Sequence, residues 1–149
     1  MSGALTHSPA DIVRTRLIEL TLGTNPASNT AWPIFVSSEP DTPDNCITIY
    51  DTLGRDQGRV MWTGERQEMH GIQVRIRSQT HALGYTKARA IAVALDESIE
   101  SDLVTIDATD YCLHSITRTS DVLALGLQKP ASRRYLFTVN ALVSVLLDS

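Results

Sequence analysis

The stretch from Arg134 to Leu147 alternates without a break. A run of that length with a period of two fits an extended strand inside a sheet. Tyr135, Phe137, Val139, Ala141, Val143, Val145 and Leu147 share one face, which is apolar throughout and reads as core. Leu136, Thr138, Asn140, Leu142, Ser144 and Leu146 share the other, neither fully polar nor fully apolar. A half-apolar outer face fits a sheet covered by a partner, or by a helix of the same chain. Ile72 to Ser78 repeats the pattern: Ile72, Val74 and Ile76 turn inward, and Gln73, Arg75 and Arg77 outward.

Further strands are expected at Ile34–Val36, Cys46–Tyr50, Leu103–Ile106, Cys112–Thr119 and Val122–Gln128. Ser120-Asp121 and Lys129 to Ser132 read as the turns between the last of them. Two helices interrupt the strands. Ser8-Pro9-Ala10-Asp11 is a helix start: a capping hydroxyl, a proline at the first helical position, and an acid at the positive end. Ile12, Val13, Leu17 and Leu20 form its apolar face, and Gly23 is its expected stop. Leu83 to Ile99 is the second helix, with Ala88, Ile91, Ala92, Leu95 and Ile99 on one side. Thr24 to Pro33 is a polar loop with Trp32 as its anchor. Arg55 to Gly71, rich in glycine and charge, reads as a long hairpin connection, partly mobile. Short turns between neighbouring strands imply an α+β fold: a mainly antiparallel sheet with two helices packed on one face, in a single domain spanning 1–149.

The 149 residues suffice for one real core. Seventeen acids against 13 bases give a net charge of −4, which makes nucleic acid a poor first choice of partner. No apolar run approaches a membrane span, and no basic segment leads into an apolar one as a secretion signal would, so synthesis in the cytoplasm is expected. Eleven of the 13 bases are arginine, a residue favoured at interfaces and also by GC-rich codon usage. Cys46 and Cys112 form no Cys-x-x-Cys unit and are expected as free, buried thiols.

Signals for chemistry are absent. There is no phosphate-cradling glycine loop and no Gly-x-Ser-x-Gly elbow. His7, His70, His81 and His114 lack metal-ligand spacing; Cys112 and His114 would share a strand face but are too few for zinc. Asp41, Asp44, Asp51 and Asp56 sit in turns without a calcium-loop pattern. A Ser78, His81 and Asp96 triad can be assembled on paper, with no motif behind it. The expectation is no catalytic residue, no metal and no cofactor.

The order of segments resembles a known family. Pro43-Asp44-Asn45-Cys46-Ile47-Thr48-Ile49-Tyr50-Asp51-Thr52 is followed, after a variable loop, by Ile72-Gln73-Val74-Arg75-Ile76-Arg77-Ser78. Gly84-Tyr85-Thr86-Lys87-Ala88 then opens an alanine-rich helix. This is similar to the minor capsid and tail terminator proteins of long-tailed bacteriophages. The resemblance implies a structural virion protein of the tail and neck, not an enzyme. It implies a homo-oligomeric ring, usually of six copies in that family, that caps the tail tube, stops its polymerisation and offers a surface for head–tail joining. Its partners would be itself, the tail tube protein and a head–tail connector or stopper protein. DNA would pass through without sequence-specific binding, and no membrane is involved. The alternatives are a neighbouring head–tail stopper or adaptor, and a small hydrolase or ligand-binding domain. On this reading Arg75, Arg77, Leu142 and Leu146 are the expected oligomer face. Met61, Trp62 and Met69, stray apolar residues in a polar connection, are the expected contact with the tail tube.

Overall fold

The computed structural model describes residues 6–25, 31–40, 44–59, 61–62, 66–98, 103–128 and 134–147. Helix α1 (Pro9–Glu19) begins as its sequence dictates: the Ser8 side chain accepts from the Asp11 N–H at 3.3 Å. The Asp51 carboxylate accepts from the Ala10 N–H at 3.0 Å, adding a negative charge at the positive helix end. The helix stops at Glu19, before Gly23, and Thr21 takes a left-handed φ of 62°. Gly23 serves packing instead, because a β-carbon there would overlap the Ile34 side chain. Helix α2 (His81–Val93) is capped by Thr80 and runs into a π-helical turn at Ala94–Ser98.

The strands are β1 (Ile34–Val36), β2 (Cys46–Arg59), β3 (Arg66–Ser78), β4 (Leu103–Ile106), β5 (Thr109–Arg118), β6 (Leu123–Gln128) and β7 (Arg134–Leu147). They form one seven-stranded sheet in the order β1-β2-β3-β7-β5-β4, with β6 also on β7. The sheet is mixed rather than mainly antiparallel: β1 lies parallel to β2, Ile34 opposite Ile47, while the other pairings are antiparallel. Residues 37–45 separate the two strands, and a parallel pair cannot be joined by a tight hairpin turn.

β7 is the spine. One side pairs with β3 from Ser78↔Tyr135 to His70↔Val143. Its other side is shared: β5 takes Ala141 to Leu147 and β6 takes Arg134 to Thr138. Ser120-Asp121 is therefore no hairpin turn. It is a jog in one long strand path, bridged by Thr119 N–H donating to Asn140 O at 3.0 Å. The register slips between Leu113 and Ser115, so that Leu113 lies opposite Val145 and Ile116 opposite Val143. This bulge at His114 returns Ile116 to the core side and sends His114 to solvent.

The core face runs across the sheet in register: Ile47, Ile76 and Phe137 in one row, Ile49, Val74 and Val139 in the next. These join Ile12, Val13 and Leu17 of α1 and Ala88, Ile91 and Ala92 of α2 in one buried cluster. Gly84 lets α2 approach closely, since a β-carbon would meet the Phe137 ring. Trp32, half-buried and at φ 57°, anchors its loop as expected, with the Lys87 ammonium 5.2 Å from its ring centroid. That ammonium also donates to Leu22 O at 3.0 Å, and burial lowers its pKa.

Candidate functional site

Two surfaces stand out. The first is the outer sheet face. Register places Cys46, Arg77 and Leu136 in one row, Thr48, Arg75 and Thr138 in the next, and Tyr50, Gln73 and Asn140 in a third. A strap of the same chain, formed among the described residues by 37–40 and 44–45, lies over the first two rows, pinned by ion pairs. Glu39 reaches Arg77 at 3.4 Å and Arg75 at 3.7 Å. Asp44 reaches Arg134 at 2.8 Å, its other carboxylate oxygen accepts from Gln79 Nε2, and its carbonyl accepts from Arg77 Nε at 3.3 Å.

Arg77 thus does not face solvent: its side chain is 3% exposed. Two guanidinium groups side by side need an acid, and Glu39 of the same chain supplies it. Arg75 remains at the rim, 30% exposed, with Nε unpaired. Thr48 Oγ1 is also buried without a hydrogen bond. Leu142 is half-buried further along the face, and the side chain of Leu146 lies outside the described residues. Glu39 and Arg134 carry no functional signal in the sequence, and Asp44 reads there only as a turn acid. The acids and prolines around them read as turn chemistry, and their long-range partners leave no local pattern.

Cys46 lies under the strap, fully buried, and burial pushes its thiol up to about 11 against the opposing pull of Arg77. Cys46 and Cys112 are both free. Cys112 is only half-buried.

The second surface is the β2–β3 hairpin. Arg55 to Gly71, expected as a partly mobile connection, is largely strand: Arg55 pairs with Met69, Asp56 with Glu68 and Arg59 with Arg66. Among the described residues the ribbon has no third strand beyond His70. At its foot the register shifts between Thr52 and Arg55, where Gly54 and Gly71 face each other's backbones. A β-carbon on Gly54 would strike Met69 O, and one on Gly71 would meet Leu53 O at 2.6 Å. Only glycine permits this close crossing. Leu53 is 97% exposed there, and Met61 and Trp62 near the tip are 81% and 94% exposed. Met69 is half-buried. The structure therefore brings Met61 and Trp62 together at one end of an arm, with Met69 on its stem.

The titratable groups are scattered. His7 Nδ1 lies 2.6 Å from the Tyr111 hydroxyl, and His7 Nε2 lies 3.4 Å from Asp107. Tyr111 is wholly buried, so this contact ties the segment before α1 to the β4–β5 turn. His81 packs against Tyr85, Tyr135 and Phe137. Asp96 is held by Arg118 at 3.0 Å, and Ser78 Oγ accepts from Thr80 N–H, so each is engaged elsewhere than in a triad. Asp121, bonded by Val122 N–H and by Arg89 and Arg118, is lowered to about 2. Among the described residues no three His, Cys, Asp or Glu side chains gather as a metal site. No described helix is long and apolar enough to cross a membrane.

Comparison with known families decides what these surfaces belong to. A family model described as bacteriophage tail terminator protein matches residues 10–145. The chain belongs to the bacteriophage tail terminator family. It is accordingly a structural component of a phage tail, one that associates with other tail or head components. That membership spans both helices and the whole sheet up to Val145. A solved structure aligns with this terminator at 13% identity and a TM-score of 0.48, covering 96% of this chain and 98% of the other. No curated protein matches the sequence.

Proposed function

We propose that this chain caps the tail tube as a homo-oligomeric ring, stops tube polymerisation, and presents a surface to which the head is joined. The observation that carries the reading is the β2–β3 arm of a terminator-family chain, with Trp62 and Met61 almost fully exposed near its tip. Exposed aromatic and methionine side chains on a two-stranded ribbon cost solubility unless a partner covers them. The last ring of tube protein is the proposed partner, with Met69 on the stem of the same arm. The outer face around Arg75, Leu142 and Leu146 is proposed to be buried in the assembly. Arg77 acts there from beneath, by holding Glu39. A ring of net-acidic subunits repels DNA phosphate and lets the genome slide through without sequence-specific contacts. The chemistry is that of shape and surface, with no catalytic step.

The test adds purified chain to polymerising tail tube protein and reads tube length by electron microscopy. Growth should arrest, with the added chain at tube ends, and Trp62→Ala should arrest it far less. Tube growth unaffected by a folded wild-type chain would refute the reading.

A further inference from the structure

We infer that neighbouring copies join edge to edge through main-chain pairing, the open edge of β6 receiving the open edge of β2 from a second copy. The inference rests on the ring reading above. A cyclic assembly of more than two copies needs two different, complementary patches on each subunit, because a self-matching patch closes after a pair. The sheet supplies two such patches on its opposite sides. On one side, β4 covers β5 only from Thr109 to Cys112. From Leu113 through β6 the outer edge has no strand partner among the described residues. On the other side, β1 covers β2 only at Ile47 to Ile49, so β2 is open from Tyr50 onward.

The β6 edge carries neither of two common guards against edge pairing, charge and proline. Leu123-Ala124-Leu125-Gly126-Leu127-Gln128 contains no charge and no proline. Leu123 and Leu125 are 52% and 48% exposed. The one irregularity is the slip between Ala124 and Gly126, where Gly126 takes φ +83°. It leaves Leu125 without an opposite residue on β7. On β2, Leu53 stands 97% exposed at a comparable irregularity, so an apolar side chain marks each edge. Backbone groups give such a contact its strength, and these leucines cover it. Leu142 lies one strand in from the β5 edge, opposite Thr117, so the outer face flanks the junction.

The test uses the full chain with Leu123→Lys and Leu125→Lys together. Both side chains are half exposed, so the monomer should keep its melting temperature. The subunit dissociation constant, from sedimentation, should rise by roughly tenfold or more, since each ammonium must be stripped of water at the joint. A second arm mixes Leu53→Cys chains with Leu125→Cys chains under oxidation, each also carrying Cys112→Ser. Edge-to-edge pairing yields the mixed 53–125 disulfide; a 125–125 product shows β6 meeting itself and overturns the inference. Rings that persist unchanged in the double-lysine variant overturn it as well, and leave the ring reading standing. A wild-type chain that stays monomeric both alone and on tail tubes removes both.

Discussion

Glu39→Gln is the sharpest probe of the strap over the outer sheet face. The carboxylate lies 3.4 Å from Arg77 and 3.7 Å from Arg75. An exposed pair contributes about 0–1 kcal/mol, whereas breaking a buried one costs about 3–5 kcal/mol. The site falls between. Arg77 is 3% exposed and Glu39 14%, which argues for the higher figure, but Arg75 is 30% exposed and keeps water. Arg77 also keeps the Asp44 carbonyl at 3.3 Å. A loss of about 2–3 kcal/mol is expected. For a chain of this size that lowers Tm by about 5–10 °C. Arg77→Met should cost a comparable amount, about 2–3 kcal/mol, since it takes the nearer cation from the buried Glu39 carboxylate and leaves Arg75 at 3.7 Å. Cys46 reports on the same event. With its thiol at about 11 and fully buried, it reacts slowly with an aromatic disulfide reagent at pH 8. Loosening the strap should speed that reaction severalfold. A Tm shift below about 1 °C with unchanged labelling would refute the idea that Glu39 pins the strap.

Cys46 also sets a pH dependence. Its folded value, about 11, lies above the ordinary 9.0, so its contribution to stability is full below pH 9 and declines as pH rises toward 11. Urea midpoints should therefore fall between pH 8 and pH 10.5, and Cys46→Ala should flatten the decline. Gly71→Ala should cost about 1–3 kcal/mol, because the added carbon meets the Leu53 carbonyl, which cannot swing aside; calorimetry decides it. Trp62→Ala, at a position 94% exposed, should change stability by less than about 0.5 kcal/mol while weakening pelleting with tail tubes.

What could be read from sequence follows from where the periodic signal is strong. The alternation of Tyr135 to Leu147 and of Ile72 to Ile76 marked strands whose inward residues from Phe137 to Val145 and from Ile72 to Ile76 are core. Ser8, Pro9 and Asp11 marked the start of α1 because capping is local. The strand character of the arm escaped notice because its sequence has no apolar period: Arg55 to Arg59 and Arg66 to Glu68 are charged, glutamine or glycine at every place. The jog at Ser120-Asp121 resembled a hairpin turn because turn residues do not say whether the next strand reverses or continues. The parallel seat of β1 rests on three residues, too few to carry a direction. Arg75 and Arg77 are legible in the sequence as two cations on the outward face of one strand. That the acid is Glu39, some 36 positions away from Arg75, is a fact of tertiary contact alone. Met61 and Trp62 were visible as apolar residues out of place, and they stand in solvent at the end of the arm.

The central claim, that this family member ends tube growth, is tested most directly by the length distribution of tails assembled without it. Electron microscopy of particles made in its absence should show tubes longer than normal and of scattered length, detached from filled heads, with normal length restored by supplying the chain. Tails of normal, uniform length that merely fail to join filled heads would contradict the claim and make the protein a stopper or adaptor at the joint.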